Sequence, residues 1–163
     1  MRERIWDELA QSKFHLDYLC LYVKRLIKQN KLIDNLVLFT SLIGIFGWYK
    51  LADLAIFWSL LLGGIAIFRM MKSKIFPTEQ EISTLNSVCE FYIDQVRKLE
   101  TLWISYERGK YTDDEAEVQF EKLRDEERLM MKINKHETVE GVEPMYSNAR
   151  EITIQYLNRY NNV

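Results

Sequence analysis

Apolar residues recur along the chain in two heptad-like patterns and one unbroken run, and each predicts a different kind of helix. Over residues 3–31, Ile5, Leu9, Ser12, Leu16, Leu19, Val23 and Leu26 follow one another at alternating steps of four and three. Such steps keep a single stripe of a helix turned toward a partner. Phe14, Tyr18 and Tyr22 add a second stripe at i, i+4, i+8, so this helix is expected to pack against more than one neighbour.

The same rhythm returns after Pro77, in Ile82, Leu85, Cys89, Tyr92, Val96, Leu99, Trp103 and Tyr106. Thr78 with Glu81 forms a capping box that opens this helix, and Gly109 supplies a stop just beyond its end. It is expected to pack on the N-terminal helix and on other subunits. Thr112 with Glu115 is a second capping box, predicting a helix over 113–135. Asp113, Asp114, Glu115 and Glu117 suit the N-terminal end of that helix, where backbone N–H groups carry positive partial charge. Val139–Glu143 read as a loop around Gly141, and Pro144–Tyr160 as a last helix carrying Ile152, Ile154, Tyr156, Leu157 and Tyr160.

Between the two heptad regions the pattern is continuous rather than periodic. From Leu36 to Phe68 the only charged residues are Lys50 and Asp53. The segments Leu36–Tyr49 and Leu54–Phe68 are each about 15 residues, roughly 22 Å of helix, against a hydrocarbon core of about 30 Å. Extension to Leu32 and to Met71 gives about 18 residues each and puts Asp34, Asn35 and Arg69 near lipid head groups. A transmembrane hairpin over 33–72, turning at Lys50–Asp53, is the expectation.

Charge then orients it. Lys24, Arg25, Lys28 and Lys31 precede the hairpin, while Arg69, Lys72 and Lys74 follow it. The positive-inside rule places both termini in the cytoplasm, with Trp48 and Tyr49 at the outer interface of a bacterial inner membrane. Residues 1–35 carry a net +2, 36–76 a net +3 and 77–163 a net −7. A basic collar beside apolar segments suits anionic lipids, whereas the acidic C-terminal region argues against broad nucleic-acid binding. The mean hydropathy of −0.23 averages over these unlike parts.

The expected class is therefore an all-α membrane protein and a homo-oligomeric helical bundle, with a tetramer as the working number. Its parts are an N-terminal amphipathic helix (1–32), the hairpin (33–72) and a C-terminal cytoplasmic helical domain (73–163). Thr40, Ser41, Gly44, Gly47, Ser59 and Gly63 recur at helical spacing in the hairpin. Small residues let backbones approach closely, either within the hairpin or at a subunit interface or pore.

Enzyme chemistry is not expected. His15 and His136 have neither metal-ligand spacing nor a nucleophile nearby in sequence, and no P-loop, GxGxxG or GxSxG occurs. No metal or cofactor is implied. Cys20 and Cys89 lack CxxC spacing and are expected to be buried, reduced thiols. The charged, amphipathic N-terminus does not read as a secretory signal.

The order of long amphipathic helix, short two-span hairpin with a minimal outer loop, and long post-membrane helix, over roughly Ile5 to Tyr106, resembles the SLATT family. These are two-transmembrane effectors associated with nucleotidyltransferases in bacterial conflict systems. The resemblance implies an oligomeric, gated channel or pore in anti-phage defence. It would be controlled by a nucleotide or short oligonucleotide made by a partner nucleotidyltransferase, and would act by membrane depolarisation and growth arrest. Such a signal is anionic, so its site should be basic. The candidate is the stripe Arg124, Arg128, Lys132 and Lys135, with Arg97 or Arg150 in support. The same arginines could instead pair with Glu121, Asp125 and Glu127 on an exposed helix. The alternative function is a non-conducting membrane anchor or scaffold for a cytoplasmic partner.

Overall fold

Helices start and stop where the capping residues lie. In the computed structural model, backbone is described for residues 1–47, 60, 63–68, 71, 77–133 and 143–161, and side chains for the same residues except 40–47 and Ile133. In chain order the long helices are α1 (Arg2–Gly47), α2 (Glu79–Glu107), α3 (Asp113–Ile133) and α4 (Glu143–Asn161). A further helical stretch covers 63–68. The fold is all-α, with no strand among the described residues.

Both capping boxes are made. The Thr78 N–H donates to Glu81 Oε2 at 2.7 Å, and the Glu81 N–H donates back to Thr78 Oγ1 at 3.2 Å. At the start of α3 the Thr112 N–H donates to Glu115 Oε2 at 2.9 Å, and the Glu115 N–H to Thr112 Oγ1 at 3.4 Å. Gly109 has φ +67°, which L side chains rarely adopt. The Lys110 N–H donates to Ser105 O at 3.0 Å and the Gly109 N–H to Tyr106 O at 2.9 Å. Together these satisfy the last carbonyls of α2 in a Schellman arrangement.

The first helix is longer than its heptad seam predicts. The pattern ends near residue 31, but α1 continues without interruption to Gly47. Lys31–Asn35 change the polarity of the surface yet include neither Pro nor Gly, so nothing there ends the backbone hydrogen bonding. Among the described residues no helix is long and apolar enough to cross a membrane. The turn Lys50–Asp53, the aromatic pair Trp48 and Tyr49, Ser59 and the basic residues Arg69, Lys72 and Lys74 lie outside the described residues.

Two compact units are present. The first joins Met1–Val23 to Ser83–Val163. Its contacts give the helix directions. Arg2 pairs with Glu107 while Cys20 meets Cys89, so α1 and α2 are antiparallel. Gln95 Nε2 donates to Leu123 O, Tyr92 Oη to Glu127 and Tyr106 Oη to Asp113, so α2 and α3 are antiparallel as well. α4 runs back along α1, with Tyr160 near Trp6, Tyr156 under the Lys13 ammonium and Thr153 donating to Asp17. Phe14 completes this seam by meeting Tyr146 edge to face at 4.9 Å. The heptad stripe of α1 therefore faces α2 and α3, and its aromatic stripe faces α4.

The core of this unit comprises Ile5, Leu9, Val96, Leu99, Leu102, Ala116, Phe120 and Leu123, with Trp6, Leu16, Trp103 and Tyr106 packed against it. Complete burial of a Leu, Ile or Phe side chain contributes about 1.5–3 kcal/mol, so a few such residues dominate the stability of a unit this small. Cys20 and Cys89 are joined in a disulfide, with Cα atoms 6.2 Å apart, rather than lying as separate thiols. Antiparallel packing brings them to one level, which spacing along the chain does not reveal.

The second unit, Lys24–Ile82, contains the remainder of α1. Within it the Asn30 side-chain amide donates to Pro77 O at 3.2 Å, holding the entry to α2 against α1.

Candidate functional site

The candidate basic residues differ in what engages them. Arg124 lies 3.9 Å from the Glu8 carboxylate and 5.9 Å from the centre of the Phe120 ring. Arg128 is exposed and pairs with Asp125 at 2.9 Å, one turn back on its own helix. Lys132 is exposed in the last turn of α3, and Lys135 lies outside the described residues. Half of the stripe is thus already engaged with carboxylates. Arg150 is exposed on α4 beside Glu143 and Glu151.

Arg97 has different surroundings. It lines a cleft of about 380 Å³ between α2 and α3 with Lys98, Thr101, Tyr111, Lys122 and Glu126 among its walls. Lys98 is engaged by Asp94 at 2.9 Å and Glu126 at 2.8 Å, and these two carboxylates raise its pKa. No ion pair holds Arg97 or Lys122 among the described residues. Thr101 Oγ1 already donates to Arg97 O at 2.8 Å, so the cleft combines two cations with the Tyr111 phenol and its ring, the chemistry that suits an anion carrying a flat group. Lys122 and Tyr111 were not singled out by sequence pattern. The available signal was the i, i+4 step from Arg97 to Thr101 opposite the i, i+4 step from Lys122 to Glu126 on an antiparallel neighbour.

In the second unit Lys24, Lys28 and Lys31 lie at i, i+4, i+7 around an open groove of about 490 Å³ with Ile27, Leu32 and Asn35. Beyond it Leu32, Leu36, Leu38 and Phe39 are each more than half exposed. Steps of 100° spread Leu32, Leu36, Leu38 and Phe39 over about 160° of α1, while Ile33 and Val37 on the other side are half-buried, so the exposed apolar surface is a broad face of the helix. Thr40, Ser41, Gly44 and Gly47 continue α1, but their side chains lie outside the described residues. Gly63 is in the helical stretch 63–68, with no atom within 4 Å of where a Cβ would stand.

Buried charge is concentrated elsewhere. Burial, then the Glu127 charge, raises the pKa of Glu8. Tyr92 Oη donates to Glu127 Oε1 at 3.1 Å, and burial, then the Glu127 charge, raises the phenol well above its ordinary range. His15 meets the Tyr92 ring edge to face at 5.7 Å, and burial lowers its pKa. No family model, curated protein or solved structure matches this chain. Among the described residues no group of three or more His, Cys, Asp or Glu could hold a metal ion.

Proposed function

We propose that this chain is a SLATT-like, homo-oligomeric membrane effector of bacterial anti-phage defence, a gated ion channel or pore whose hairpin over 33–72 crosses the inner membrane twice. The observation that carries the reading is the broad exposed apolar face of α1 at Leu32, Leu36, Leu38 and Phe39, next to the lysine collar. An apolar face of that width is stable when lipid or protein covers it. Lys24, Lys28 and Lys31 suit anionic head groups at the cytoplasmic edge of such a layer. Two helices from one chain cannot enclose a water path, so conduction requires several copies.

Control by a nucleotide or short oligonucleotide from a partner nucleotidyltransferase fits the unpaired cations Arg97 and Lys122 and the nearby Tyr111 ring better than the carboxylate-engaged Arg124 and Arg128. Expression of the chain with its partner system should collapse the membrane potential, read with a voltage-sensitive dye. An inserted, fully expressed protein that leaves the potential unchanged in every condition would overturn the reading. Replacing the hairpin with an unrelated two-span anchor should abolish the effect; retained function would favour the anchor or scaffold role instead. Reversing charge at Arg97 and Lys122, or separately at Arg128 and Lys132, should abolish regulation only at the true ligand site.

A further inference from the structure

Glu127 opens onto a cavity that the anionic-signal reading does not use. Its volume is about 380 Å³, and it lies within the first unit, walled by α1, α2 and α3. That size falls in the range of small-molecule sites, which run from about 300 to 1,000 Å³. Leu85, Val88 and the side chains of Met130 and Met131 give it an apolar body, and the rings of Tyr18, Phe91 and Tyr92 give it aromatic surface. At its polar end stands Glu127, already accepting from Tyr92 Oη.

Charge decides what such a cavity can hold. No Lys or Arg is among the described residues that line it. The titratable groups that line it or stand behind it are Glu8, His15 and Tyr18 on α1, Tyr92 on α2, and Arg124 and Glu127 on α3. Arg124, 3.9 Å from Glu8, offsets one of the two carboxylates, Glu8 and Glu127, and leaves a net negative end to an aromatic, apolar cavity. Aromatic faces and polarizable thioethers favour cations, and a carboxylate fixes an ammonium by charge-assisted hydrogen bonds. An anion would meet the Glu127 carboxylate and no Lys or Arg among those lining residues.

We propose that this cavity is a binding site for a small organic cation, an ammonium carried on an aromatic or branched apolar body. Its head donates to Glu127, while its body fills the space beside Leu85, Val88 and Phe91. The site is independent of the membrane reading, since every residue in it belongs to the first unit.

The test uses the purified full chain and 2-phenylethylamine, with 2-phenylethanol and 3-phenylpropanoate as neutral and anionic counterparts, titrated calorimetrically. The amine should bind in about the millimolar range expected of so small a ligand, and at least about tenfold more tightly than either counterpart. Glu127→Gln should weaken it at least about tenfold. Val88→Trp, which fills the cavity away from the carboxyl pair, should block the amine while leaving the helical circular dichroism unchanged. Equal binding of all three compounds, no binding of the amine, or binding indifferent to both substitutions would overturn the proposal. Should Glu127→Gln fail to fold, the compound series and Val88→Trp decide.

Discussion

At the residue scale, Phe120, Ile5, Leu9 and Leu99 are almost wholly buried where α1, α2 and α3 meet. Phe120→Ala should lower unfolding free energy by about 3–5 kcal/mol in denaturant melts, the usual cost of removing a buried ring without collapse of the site. Ser12 occupies the same seam, and its Oγ has no hydrogen-bond partner among the described residues. A buried hydroxyl without a partner is costly, so Ser12→Ala should be neutral or stabilising in the same melts. His15 offers a test by pH. Burial puts its folded pKa below the unfolded value of about 6.5, so the neutral form is the one the fold prefers. The folded state is favoured above that unfolded value and loses stability as pH falls through it toward the folded one. Glu8 acts in the opposite sense: with its pKa raised, stability is fullest when it is protonated and is lost as pH rises from the unfolded value of about 4.3 through the folded one. His15→Phe should therefore flatten the loss of melting temperature between about pH 7 and pH 5, and an unchanged slope would contradict this.

Helices and their ends were largely legible in the chain. The seam Ile5, Leu9, Ser12, Leu19, Val23 and Leu26 is buried, as are Leu85, Cys89, Tyr92, Val96 and Leu99. Leu16, Trp103 and Tyr106 pack at the margin. Each capping box carries both of its reciprocal bonds, so Thr112→Ala should cost about 1 kcal/mol of stability. What the chain does not display is which seams share a level. Spacing alone leaves Cys20 and Cys89 unrelated, and only antiparallel packing pairs them across 69 residues. For the same reason Arg97 and Lys122, distant in sequence, share a cleft, whereas Arg124 and Arg128, neighbours on one face, are turned toward different carboxylates. Non-reducing peptide mapping should find Cys20 linked to Cys89 within one chain. Closing a loop of this length restricts the unfolded chain by about 4 kcal/mol, so reduction should lower the melting temperature.

At the scale of the whole molecule, the chain pairs a helical unit that buries its own seams with a segment that exposes a broad apolar helix face. Leu32, Leu36, Leu38 and Phe39 form that face, and the apolar run continues in the sequence up to Phe68 with only Lys50 and Asp53 charged. The account of function depends on that run lying in lipid with both ends on one side. Paired reporter fusions measure this directly: one reporter follows Val163 and the other is inserted between Lys50 and Asp53, each scored for activity inside or outside the inner membrane, alongside carbonate extraction. The account predicts a chain retained in the membrane, a cytoplasmic C-terminal reporter and an external reporter at the turn. A chain released by carbonate, or a turn reporter on the cytoplasmic side, would contradict it.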